Sequence, residues 1–295
     1  LGAVSSALIT EIEHVCGIRL ESGSLRRLGG GDIASSYRAA DDKGKPYVLK
    51  VVPEAYHRMS TSEAEGLREL GRFGGDLIIP RLFGYGESNA GQWLLMEFLQ
   101  NGPAKADSYE MFGRMLAQLH LRAQSDRFGF HCDTYLGFTL QKNELNTSWI
   151  EFFRKNRLGL LFETAADKNL LDTQSLHRIS HLLGELEEHL HEPESASLIH
   201  GDLWGGNHMF DPEGRPILID PAAYYGDREA DLAMTRLFGS FPEAFYLGYQ
   251  DEFPLVDGHR RRAVIYRLYH ALNHLCMFGT SYRSLVRSTL NSYTW

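Results

Sequence analysis

Cysteine is scarce in this 295-residue chain, and Cys16, Cys132 and Cys276 are far apart and odd in number. That excludes a disulfide framework and a cysteine-ligated zinc site, and it suits a reducing compartment in which all three are core thiols. Positive charge is also short. Lys and Arg total 30 against 38 Asp and Glu, a formal net charge of −8. This leaves no electrostatic footprint for nucleic acid or an anionic membrane. A local basic patch such as Arg260-Arg261-Arg262 reads as a solvated helix face. No apolar run is long enough to span a bilayer, and the opening LGAVSSALITEIEHVCGIRL reads as an amphipathic helix ending near Gly17, not a signal peptide. A cytoplasmic protein is expected, and because residue 1 is Leu, a short preceding segment stays open. Repeats and low-complexity tracts are missing. What is present is ordinary globular material: 43% of residues are hydrophobic, enough for one large domain or two lobes.

The first hundred residues carry strand and turn signals. SLRRLGGG, IASSYRAA and PYVLKVV form a meander, Ser60 to Phe73 has helical spacing, and RLFGYGES with GQWLLMEFL forms a hairpin turning at Glu87 to Gly91. From Ser108 onward apolar residues recur every three or four positions, in YEMFGRMLAQLHLRAQ, TSWIEFFRKNRLGLLFETA, DTQSLHRISHLLGELEEHLH and Gly258 to Phe278. The expected boundary is the Gln100-Asn101-Gly102-Pro103 link. It divides a sheet-rich unit, residues 1–99, from a mostly helical one, residues 100–295, and makes the fold α+β.

Chemistry-bearing residues fall in both units. Gly29, Gly30 and Gly31 sit between two strands, where glycine permits positive φ and lets backbone N–H groups cover phosphates; alone, a plain hairpin turn explains them as well. No GK[ST] follows, so this is not a Walker A loop. Lys50 emerges from a strand whose neighbours Val48, Val51 and Val52 are expected to be buried, so it needs a carboxylate or a phosphate. Glu63 shares a helix face with Leu67 and Leu70 and is the chosen partner over Glu65, although a capping box would also use it. The backbone of Glu97 and Phe98, at the end of LLMEFL, could read an adenine edge where the chain crosses between units.

The densest stretch is LIHGDLWGGNHMF, Leu198 to Phe210. Asp202 stands at a tight turn where it could take a proton from an attacking hydroxyl, Asn207 offers an amide oxygen, and Asp220, ending PILID, offers a carboxylate to the same Mg²⁺. A base and two oxygen ligands on one β-loop-β unit is what phosphoryl transfer from Mg-ATP requires. His200 reads as a structural brace and His208 as packing beside the site. Trp204 is either an apolar anchor or a stacking surface for a sugar or an aliphatic stem. Asp231, in YYGDREADLAM, could hold the loop's backbone N–H groups or serve as ordinary helix N-terminal charge.

With these motifs in this order, the chain resembles the bilobal protein-kinase-like fold, with a small antiparallel-sheet N-lobe carrying one helix and a larger, mostly helical C-lobe. HGDLWGGN, IDPAAYYGDREADLAMTRLFGSF and LAQLH followed by FGF resemble, more narrowly, the fructosamine kinase (ketosamine-3-kinase) family. Aminoglycoside and choline kinases share HGD and the later Asp but not LWGGN. The resemblance implies ATP-dependent phosphorylation of the 3-hydroxyl of a ketosamine, free or on a glycated protein, followed by elimination that frees the amine. It implies that Lys50 binds the α/β-phosphates and pairs with Glu63, that Asp202 is the base, that Asn207 and Asp220 hold Mg²⁺, and that Trp204 flanks the sugar. A small-molecule kinase for other alcohols and a non-catalytic nucleotide-binding module are the competing readings; a metal-dependent hydrolase is weaker, with only two acidic ligands in view. A monomer is expected. Two departures stand out: Asp32 replaces a Cys through which some relatives form redox-sensitive dimers, and Asp227 replaces the His of YYGHRE.

Overall fold

Alternation along PYVLKVV decides the layout of the N-lobe. Tyr47, Leu49 and Val51 point to one face of a strand and Val48, Lys50 and Val52 to the other, because successive side chains in a strand alternate. The first set packs under the first helix with Trp93 and Leu95. The second set faces the helix Met59–Phe73, whose Ala64 and Leu67 cluster with Leu94 and Met96 and, at the margin, Val48. Val48 and Val51 are only half-buried, contrary to the sequence expectation, because each sits at the margin of its cluster.

This arrangement comes from a computed structural model that describes residues 4–29, 34–52, 55–56, 58–88 and 91–293. In chain order the N-lobe contains α1 (Ser6–Cys16), β1 (Arg26–Arg27), β2 (Ser35–Ala40), β3 (Pro46–Val52), α2 (Met59–Phe73), β4 (Leu82–Ser88) and β5 (Gly91–Glu97). The five strands form one antiparallel sheet in the order β1-β2-β3-β5-β4. Ser5 caps α1 by accepting from the Leu8 amide, and Gly17 ends it, as the sequence indicates.

The C-lobe follows with α3 (Ser108–Arg122), β6 (Gln124–Ser125), β7 (Thr134–Leu136), β8 (Thr139–Gln141), α4 (Trp149–Phe153), α5 (Gly159–Asp167), α6 (Thr173–Gly184) and α7 (Leu186–His189). Then come β9 (Ala196–Ile199), β10 (His208–Phe210), β11 (Pro216–Leu218), β12 (Tyr224–Gly226), α8 (Glu229–Met234), α9 (Glu243–Glu252), α10 (His259–Phe278) and α11 (Arg283–Asn291). The stretch read as one helix from Trp149 is interrupted by a π turn over Arg154–Leu158, which carries the fully buried Arg157 inward. Its guanidinium donates to the carbonyl of Lys142 and to Asn143 and lies 4.0 Å from the Tyr224 ring centre.

Two expectations fail on packing. Arg262 is not on a solvated face: it is 7% exposed and donates to both carboxylate oxygens of Glu229, at 2.9 and 2.7 Å, because α10 turns that side toward the start of α8. The cysteines are free and half-buried at the margins of the cores, Cys16 in the N-lobe and Cys132 and Cys276 in the C-lobe. The link between lobes is pinned to the loop hairpin, since the Gly102 amide donates to the Phe210 carbonyl at 2.7 Å.

Candidate active site

The strand face that carries Lys50 delivers its ammonium to two carboxylates, Glu63 Oε1 at 2.7 Å and Asp220 Oδ1 at 2.6 Å. Lys50 is 8% exposed. Burial alone would push its ammonium down, but Asp220 and Glu63 outweigh that cost and hold it above the usual lysine range. Burial raises Glu63, with the Asp220 charge adding to the effect and Lys50 opposing it. Two carboxylates, one from α2 and one from the turn just after β11, thus meet at one cation on β3. Glu65, the rejected alternative, faces Arg68, Tyr85 and His131.

The loop after β9 is built around Gly201, whose φ is +81° and where an added Cβ would lie 2.2 Å from the Ala222 carbonyl oxygen. Only glycine allows the chain to reverse there and bring Asp202 to the cleft. Asp231, at the start of α8, accepts the amide hydrogens of His200 at 2.7 Å and Gly201 at 2.8 Å, so it does hold the loop backbone. Although Asp231 is buried, His120, His200 and these hydrogen bonds keep its carboxyl below the usual range. His120, from LAQLH, stands 3.4 Å from Asp231 and passes on to the Tyr249 hydroxyl at 2.8 Å. Sequence reasoning missed this role of His120, although its motif was in view.

His200 is a brace. Nε2 donates to the Ile219 carbonyl at 2.9 Å and Nδ1 accepts from the Asp202 amide at 3.3 Å, which requires a neutral ring; burial pushes its pKa down. His208 packs among Phe112, Phe210 and Phe241 beside the site. Asn207 Nδ2 donates to the Asp202 backbone carbonyl and to Asp202 Oδ2, both at 2.9 Å. Shielding from water raises the Asp202 carboxyl to about 7; the Asn207 hydrogen bond opposes this, and the nearby Asp220 and Asp231 charges add to it.

The donor set suits a hard cation. With Asn207 Nδ2 committed to Asp202, its amide oxygen is left over, and Asp220 has one oxygen on Lys50 and one to spare. Asp220 has φ +55°, a conformation that few residues other than glycine adopt, and its side chain is 41% exposed. Among the described residues no cluster of three or more His, Cys, Asp and Glu could hold a metal, so the remaining ligands would have to come from phosphate and water.

The remaining sequence candidates are less central. Gly30, Gly31 and Asp32 lie outside the described residues. Gly29 follows a hairpin held by the Leu28 amide on the Ser36 carbonyl, and it does not use the left-handed region; an added Cβ would meet nothing within 4 Å. The positive φ expected of the glycine run therefore does not apply at Gly29. The Glu97 amide is spent on the Arg81 carbonyl at 2.8 Å, which removes it as a donor to a base edge. Phe98 follows directly, its ring 5.0 Å from the Arg38 guanidinium. Trp204 is 37% exposed at the mouth of the loop. Asp227 takes over as a helix-start acceptor, bonded to the Glu229 amide at 2.9 Å and the Tyr266 hydroxyl at 2.6 Å.

Known proteins similar to this chain point to one family. The profile of the fructosamine kinase family matches residues 4–294. A protein of Enterococcus faecium named a probable ketoamine kinase is 37% identical over 274 residues, covering 92% of this chain and 96% of its own. One of the same name from Vibrio parahaemolyticus is 38% identical over 268 residues, covering 90% of each. A crystal structure of a Thermobifida fusca protein, provisionally named a fructosamine-3-kinase, superposes with a TM-score of 0.88 at 29% identity over 98% of both chains. The bilobal kinase-like fold, the Lys50, Asp202 and Asp220 cleft and these full-length matches lead to one conclusion: this chain belongs to the fructosamine kinase family and is an ATP-dependent phosphotransferase.

Proposed function

We propose that the protein phosphorylates the 3-hydroxyl of ketosamines, the sugar adducts of lysine or other amines, free or on protein. The observation that carries this reading is Trp204, an exposed indole two residues from Asp202, in the LWGGN continuation that separates this family from other small-molecule kinases. A flat apolar surface beside a base suits a sugar carrying an organic amine. The names of the full-length relatives support the same substrate class.

In the reaction, the substrate oxygen attacks the γ-phosphorus, the bond between that phosphorus and the β–γ bridging oxygen breaks, and ADP leaves. Asp202 takes the hydroxyl proton. Asn207 aims that carboxylate and Asp231 holds the turn beneath it. Lys50 neutralises α/β-phosphate charge, and Glu63 keeps its ammonium in place. The glycine run from Gly29 to Gly31 covers the phosphates, while the Phe98 amide and Glu97 carbonyl flank the adenine. Asn207 and Asp220 would hold Mg²⁺, which when bound supplies charge neutralisation for the phosphates. Residues 1–99 form the nucleotide lobe and residues 100–295 the catalytic and substrate lobe of a monomer. Three unpaired cysteines suit a cytoplasmic setting.

The test is ADP release with Mg-ATP on fructosyl- and ribulosyl-lysine beside a panel of aminoglycosides, choline and other alcohols. Turnover confined to ketosamines is expected. Turnover of amino alcohols alone would overturn the substrate class.

A further inference from the structure

Trp204 does not stand alone. Its ring meets Phe238 edge-on at 6.1 Å, Phe238 lies 4.6 Å from the His274 ring, and His274 is 5.7 Å from Phe278 and 5.3 Å from Tyr282. Phe278 and Tyr282 touch at 5.6 Å. Five rings from the loop after β9, the segment after α8, the end of α10 and the 3-10 turn Thr280–Tyr282 thus form one continuous strip. Three of its rings reach the surface, Trp204 and Phe238 each 37% exposed and Phe278 39%, while His274 is half-buried and Tyr282 packs against the C-lobe core. A folded chain rarely leaves such rings in contact at the surface without a use for them.

His274 tells what the strip can take. Its Nδ1 lies 2.9 Å from the His270 carbonyl and must carry the proton, which leaves the Nε2 lone pair as an acceptor. Burial pulls this imidazole's pKa down, against the His270 hydrogen bond, and so favours the neutral ring that does not repel a cation. Aromatic faces attract a cation, and a lone pair accepts an N–H. Both features match an ammonium with an apolar substituent.

We propose that the strip Trp204, Phe238, His274, Phe278 and Tyr282 is the subsite for the amine half of the substrate, binding the secondary ammonium and the aliphatic or aromatic group attached to it. This rests on the ketosamine reading above. The sugar occupies the Asp202 end, next to Trp204, and the N-substituent runs outward along Phe238 and Phe278. Selectivity among ketosamines is then set by what the amine carries.

The experiment compares fructosyl adducts of methylamine and benzylamine in the wild type, Phe238→Ala and Phe278→Ala. Both phenylalanines are partly exposed, so neither truncation hollows the core. The wild type is expected to prefer the benzylamine adduct in kcat/KM by roughly tenfold; each variant loses most of that preference, falling several-fold further on the benzylamine adduct than on the methylamine adduct. A preference unchanged in both variants, or an equal fall on both adducts, overturns the subsite. If the wild type turns over neither adduct, the ketosamine reading fails instead, and saturation-transfer NMR with benzylammonium, which carries no sugar, then decides. Transfer weakened by both substitutions upholds the strip as an ammonium site, and absent or unaltered transfer overturns it.

Discussion

The Tyr225 hydroxyl donates to Glu69 Oε1 at 2.8 Å, joining the C-lobe strand after the Asp220 turn to the helix that supplies Glu63. Two other features hold α2 in the same place: His131 lies 3.3 Å from Glu65, and Gly66 lets α2 approach within 3.3 Å of Pro221 and Ala223 as measured from an added Cβ. The helix that aligns Lys50 is thus anchored on the opposite lobe. Tyr225→Phe should loosen it, lowering kcat/KM for ATP by roughly three- to tenfold with a stability loss of about 1 kcal/mol. Glu69→Gln, which keeps an acceptor, should retain most of the activity. Steady-state kinetics in ATP and chemical denaturation provide the two readouts.

Asp231 is predicted to matter although it bonds only the backbone of the turn behind Asp202 and His120. It satisfies two buried amides and faces His120, so Asp231→Asn places an amide where a carboxylate accepted. The expected cost is about 3 kcal/mol of stability and roughly a hundredfold in kcat, because misplacing the proposed base Asp202 by about an ångström would have that effect. Substrate KM should change little, which separates loss of positioning from loss of binding.

Gly201→Ala tests the turn itself. The added carbon would meet the Ala222 carbonyl at 2.2 Å in a backbone region hostile to side chains. A loss of at least about 2 kcal/mol is expected, seen as a lower melting temperature.

Asp202 ties activity to pH and stability. Its folded pKa, about 7, lies above the ordinary value of 3.8, so the folded protein holds more protons between those limits. Stability from this group is present in full below pH 4 and is lost as pH rises through 7. Asp202→Asn should therefore stabilise the ligand-free protein above pH 7, by about 2 kcal/mol after allowance for solvent screening, and leave it unchanged below pH 4. The same variant should lose about a hundred- to ten-thousand-fold in kcat. Thermal melts across pH, set beside turnover, check both statements.

Mg-ATP at about a hundred times its Kd should stabilise the wild type by about 2.7 kcal/mol. In Asp220→Ala the magnesium-dependent part of that shift should vanish, while an unrelated surface variant such as Glu144→Ala keeps it. Melts with ATP, with and without Mg²⁺, read the difference.

The sequence by itself determined much of this protein, because several of its signals are local. A lysine on the apolar strand PYVLKVV needs a carboxylate or a phosphate, helical spacing turned Glu63 rather than Glu65 inward, and the HGD and LWGGN spacing put Asp202 and Asn207 on one loop. Long-range neighbours were beyond it. Arg262 in a basic run reads as solvated until α8 brings Glu229 against it, and Arg157 reads as an ordinary helical residue until a π turn rotates it inward. The Glu69 to Tyr225 contact and the five-ring strip span up to 156 residues of chain, and no periodicity encodes such a meeting. Burial and charge partners arise from packing, so which side chains meet, and how protons are held at the site, is settled once distant segments of the chain come together.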